Sequence, residues 1–116
     1  MSSNQFQILT QADLTATIAS IGTTSEAIDL MGCELVGLHL PSSFTGTTIK
    51  ITTAPTLGGT YQNVLSGGSD YTLAVAQGKY VPIENLAILA GCRFIKIVSG
   101  SSEAAERVIT LATRPI

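Results

Sequence analysis

Tryptophan is absent, histidine occurs once, and only 12% of the 116 residues are charged, so several kinds of chemistry are short of parts from the outset. The lone histidine, His39, has no partner at metal or catalytic spacing, and between Leu38 and Leu40 it reads as a residue of a sheet face. The acids stand singly along the chain, which gives a paired-carboxylate hydrolase no basis in the pattern. Gly58-Gly59 and Gly67-Gly68 do not run into a helix carrying lysine and serine or threonine, so they read as turn glycines and not as a phosphate cradle. No serine sits in a nucleophile elbow. The sequence therefore points away from an enzyme, and no metal or cofactor is expected. The two cysteines, Cys33 and Cys92, each follow a glycine and lie outside any metal spacing. They are read as small apolar residues in the reduced state, not as a disulfide.

Basic charge is missing from the first part of the chain. Residues 1–49 hold four acids and no lysine or arginine, whereas residues 50–116 hold six basic residues and four acids. The net charge of −2 lacks the basic field that nucleic acid requires, so no nucleic-acid partner is expected. No apolar run approaches the ~20 residues of a membrane helix, so no membrane partner is expected either. Met1-Ser2-Ser3-Asn4-Gln5 has neither the basic nor the apolar region of a signal peptide, and synthesis in the cytosol is the expectation. Against this scarcity of charge stand 45% hydrophobic residues. A soluble globular domain carries about 25% charged residues. Much of this surface is therefore expected to be covered, most simply by copies of the chain in a repeating assembly.

Along the chain, residues 1–13 read as a polar amino-terminal arm whose strong apolar anchors are Phe6, Ile8 and Leu9. Residues 14–116 read as a single domain of alternating strand-like runs. Leu14–Ile21, Glu34–Leu40 (stopped by Pro41), Thr47–Ala54, Tyr71–Val75, Lys79–Ile83 and Arg107–Arg114 are the plainest of these. Phe44 is expected to plug one end of the core, and Ala76-Gln77-Gly78 is expected to be a hairpin turn with Gly78 at positive φ. Residues 84–91 are the one place for a helical turn. About eight strands at intervals of roughly 8–12 residues predict an all-β, antiparallel two-sheet β-sandwich of jelly-roll type.

The clearest strand is Cys92 to Gly100. Alternation puts Phe94, Lys96 and Val98 on one face and Arg93, Ile95, Ile97 and Ser99 on the other, so both faces carry apolar weight. Because a sandwich buries one face of each sheet, the face of Ile95 and Ile97 is a candidate for packing against a neighbouring copy. Phe6, Ile8, Leu9, Ile95 and Ile97 are thus the expected assembly contacts.

Several segments, taken together, resemble a family of small structural proteins of tailed bacteriophages. They are Thr24-Ser25-Glu26-Ala27-Ile28-Asp29-Leu30, Leu35-Val36-Gly37-Leu38-His39-Leu40-Pro41, and Ile49-Lys50-Ile51 leading to Gly58-Gly59-Thr60-Tyr61. Ala90 to Gly100 and the last strand from Arg107 complete the set. The resemblance implies a β-sandwich virion protein, a capsid cement or decoration protein held on the head shell, often as a homotrimer. Its partners would be the major capsid protein and copies of itself, and its location the virion. A tail or neck component is an alternative within the same particle. A carbohydrate-binding sandwich is the alternative of another class, with Tyr61 and Tyr71 as its candidate aromatics.

Overall fold

The computed structural model describes residues 14–115, so the expected arm, with Phe6, Ile8 and Leu9, lies outside the described residues. The strands are β1 (Thr15–Ile18), β2 (Ile28–Asp29), β3 (Cys33–His39), β4 (Thr48–Ala54), β5 (Gln62–Asn63), β6 (Leu65–Ser66), β7 (Ser69–Asp70), β8 (Thr72–Ala74), β9 (Tyr80–Pro82), β10 (Phe94–Ser99) and β11 (Arg107–Pro115). One sheet has the order β1-β11-β3-β9; the other has β2-β10-β4-β5, with β8 also paired to β4. Every pairing is antiparallel. With β5 to β7 set aside as an excursion, the chain alternates between the sheets at every step but β4 to β8. That arrangement is a jelly roll: two Greek keys folded into two facing sheets.

Period-two patterning explains why these runs close on one another. In β1, Ala16 and Ile18 are buried; in β4, Ile49 and Ile51; in β11, Ile109 and Leu111. Each alternates with less buried residues, Thr15 and Thr17 in β1, Thr48 and Lys50 in β4, and Val108, Thr110 and Ala112 in β11, so each strand offers one dry face to a shared core. Phe44 is buried and fills one end of that core, as expected. The helical turn is a 3-10 turn at Leu86–Leu89; the Asn85 Oδ1 atom accepts the Ala87 N–H at 3.3 Å and Leu89 is buried.

Two local readings change. Gly78 has a φ of 67°, as its turn requires. The turn does not close a hairpin, because β8 pairs with β4 while β9 pairs with β3 in the other sheet. It is a crossing between sheets, tied to the end of β3 by Gly78 N–H to the Pro41 carbonyl (3.1 Å) and Leu40 N–H to the Lys79 carbonyl (2.9 Å). The hairpin lies instead at Gly67-Gly68, with φ of 63° and 88°, between β6 and β7. Positive φ at both central residues is the two-residue turn that matches strand twist.

The connections 19–27, 40–47, 75–79 and 100–106 meet at one end of the sandwich, and Glu103, in the last of them, binds two of the others. Its side chain is buried and accepts the Thr45 N–H (2.9 Å), the Thr45 hydroxyl (3.0 Å), the Gly46 N–H (2.9 Å) and Arg107 Nε–H (2.9 Å). Its carbonyl accepts the Ile21 N–H at 2.8 Å. Burial pushes its carboxyl up, but the hydrogen bonds from Thr45, Arg107 and Gly46 outweigh that and hold it below the usual carboxylate range.

The opposite end holds a strained turn. Met31 is exposed and has a φ of 53° in the tight link between β2 and β3, followed by Gly32 at 84°. A left-handed residue with a Cβ costs about 1–2 kcal/mol. The entropy glycine loses on folding offsets part of the relief. Met31→Gly is therefore expected to raise the unfolding free energy by about 0.5–1 kcal/mol in a urea titration; a loss would show that the Met31 side chain is held by contacts instead.

Candidate functional site

The assembly contacts expected on β10 move inward. Ile95 and Ile97 are 1% and 0% exposed, in register with Thr53 and Ile51 of β4, and their side chains belong to the core of the single subunit. They are not available to a neighbouring copy. The outward face of β10 is that of Phe94, Lys96 and Val98, each half-buried. Lys96 is therefore on the outer face of the sheet. Its ammonium lies 4.6 Å from the centroid of the Tyr61 ring, which the 55–71 excursion brings over this sheet.

The outer faces of the two sheets differ in kind. The β2-β10-β4 face is charged and partly roofed. Lys50 pairs with Asp70 at 3.1 Å, Asn63 donates to the same carboxylate at 3.0 Å, and Arg93 grips Asp29 through two hydrogen bonds of 2.9 and 3.1 Å. The Arg93 hydrogen bond holds the Asp29 carboxyl below its usual value against a smaller upward push from burial.

Among the described residues, the outer face of the β1-β11-β3-β9 sheet holds no charged side chain across its middle. Registers align Thr17 with Val108, and Thr15 with Thr110, His39 and Tyr80 in one row across four strands. The next row runs from Ala112 through Gly37 to Pro82. Val108 and Tyr80 are 45% and 47% exposed there. Tyr80 lies flat enough to cover its neighbours: its ring centroid is 4.6 Å from that of His39, and a Cβ on Gly37 would collide with its hydroxyl. Charge is present at the margin, where Arg114 meets Glu34 at 2.8 Å. The free edge of β1 is blunted by Glu26, whose Oε1 accepts the Thr17 N–H at 2.9 Å.

Between the edge strands β8 and β9 lies a groove of about 500 Å³, lined by both strands together with Tyr71, Glu84 and Asn85. The Tyr71 ring packs against the core, and its phenol is pushed up by burial and by the Glu84 charge. Of the two tyrosines considered for sugar, the structure thus puts Tyr71 in this groove, beside Tyr80, and places Tyr61 elsewhere, under Lys96 with its hydroxyl on the Leu57 carbonyl at 2.7 Å. His39 stays a sheet-face residue. Among the described residues, no group of three or more His, Cys, Asp or Glu side chains is arranged to hold a metal ion.

The uncharged face was legible in part. Thr15 and Thr17 alternate with buried residues, as do Val108, Thr110 and Ala112, at positions where a wetted strand face carries lysine or glutamate. That these strands sit side by side, first against last, follows only from the topology. No known protein family, curated protein or solved structure matches the chain.

Proposed function

We propose that the protein is a non-enzymatic structural component of a phage virion, a cement or decoration protein. It stabilises the head shell by packing onto the major capsid protein and onto copies of itself. The observation that carries this reading is the outer face of the β1-β11-β3-β9 sheet, whose middle rows hold no charged side chain among the described residues, whereas the outer face of the other sheet carries Lys50–Asp70, Arg93–Asp29 and Lys96. Desolvating threonine, valine, alanine and proline costs little, while the Tyr80 and His39 rings, packed at a tilt, add contact area, so this is the side that can be covered. Contacts of modest strength repeated around a shell bind the assembled lattice and not its free parts, and they stabilise it by mass action.

The test is a charge placed in the middle of that face. Thr110 is half-buried there, and Thr110→Lys is expected to change the unfolding free energy by no more than about 1 kcal/mol, because the lysine stem can lie along the face and carry its ammonium to water. It should abolish co-sedimentation with shells of the cognate capsid protein and self-association in sedimentation velocity. Wild-type protein that stays monomeric at high concentration and does not bind shells would overturn the reading. So would a Thr110→Lys variant that binds them as well as wild type.

A further inference from the structure

We propose that the groove between β8 and β9 is a binding site for the neutral sugar rings of a glycan. This site adjoins the assembly face along β9, sharing Tyr80 and Pro82 with it, and the inference does not rest on the assembly reading. The groove is in the size range of small-ligand sites, which run from about 300 to 1,000 Å³. Three of the polar residues that line it have groups left unspent. The Tyr71 hydroxyl, the Glu84 carboxylate and the Asn85 Nδ2 make no hydrogen bond to another described residue, since Asn85 uses only its Oδ1 to cap the following turn. Leu73, Val81 and Pro82 supply apolar wall between them.

The chemistry of this set selects the ligand. A carboxylate accepts from neighbouring hydroxyls, a carboxamide donates to a hydroxyl or ring oxygen, and a phenol does either. Tyrosine also offers a ring against which the C–H face of a sugar packs. An anionic ligand is disfavoured, because the groove contains Glu84 and no lysine or arginine. An added peptide strand is disfavoured as well: β8 and β9 are three residues each, too short an edge to hold one by backbone pairing.

The test combines a printed array of neutral glycans with amide chemical-shift mapping of the labelled protein against the array's best binder. The expected result is saturable binding whose shifts fall on Thr72, Ala74, Val81 and Glu84. Glu84→Gln and Tyr71→Phe keep the packing and alter only polar atoms, and each is expected to weaken binding about tenfold or more. Tyr80 faces both the groove and the sheet surface, so it is left unchanged, and Thr110→Lys should bind glycan as wild type does. The proposal is overturned if no neutral glycan binds, or if the shifts fall on another surface. It is also overturned if Glu84→Gln and Tyr71→Phe bind unchanged, or if methylated lysine saturates the groove and sugars do not.

Discussion

Glu103→Ala is expected to lower the unfolding free energy by about 3–5 kcal/mol, the largest effect of any single polar residue in this fold. The reason is what it leaves behind. Arg107 loses its carboxylate at a position where its side chain is only 13% exposed, and the N–H groups of Thr45 and Gly46 lose their acceptor. Urea titration measures the loss. The same carboxylate predicts acid behaviour. Its folded pKa is depressed from an ordinary 4.5, so its contribution is complete above that value and is lost as the pH falls through the lower folded value. Wild type should therefore weaken steeply below about pH 4, and Glu103→Ala should show a flatter profile in that window. Parallel acid profiles for the two proteins would place the acid sensitivity at Asp29 and its Arg93 clamp, whose depressed pKa acts in the same direction.

Ile97→Ala should cost about 2–5 kcal/mol, the range for emptying a close-packed site. Ile97 is wholly buried and faces Ile51 across the central pair of strands, where no exposed neighbour can relax into the gap. The comparison with Thr110→Lys separates the two sheet faces in energetic terms. A small truncation inside should damage the fold while sparing any surface contact, and a large charged addition outside should do the reverse. An Ile97→Ala protein as stable as wild type would mean that β10 presents its isoleucines to solvent.

β10 also shows what could be read along the chain and what could not. Its alternation was plain, and the two sets, Phe94, Lys96, Val98 and Ile95, Ile97, Ser99, were separable by eye. Both sets carry apolar side chains, so periodicity alone could not say which faced the core. The deciding facts are the partners, Ile51 inside and Tyr61 outside, and Tyr61 stands 35 residues before Lys96 on an excursion that folds back over the sheet. Glu103 was hidden for a similar reason. In sequence it is one acid in a serine- and alanine-rich loop, while its main acceptor work is for backbone amides 57 and 58 positions away, which have no sequence signature. The groove repeats the lesson, since Tyr71 and Tyr80 line it together only because the chain changes sheets at Gly78. By contrast, the strands themselves, the stop at Pro41, the positive φ of Gly78 and the burial of Phe44 rest on local sterics and patterning, and these were legible.

The pairing of β1 with β11 and of β2 with β10 also sets the order in which the molecule can be made. Neither sheet can close while the last strands are still missing, because the first strands have their partners at the far end of the chain. Loop-closure entropy must be met before those distant pairings return anything, which puts folding in the millisecond-to-second range of other sandwich topologies. A nascent chain halted before Arg107 would hold β1 and β3 apart by the width of the absent strand, with the apolar side of both uncovered. Emergence of β11 from the ribosome is then the event that commits the chain to its fold.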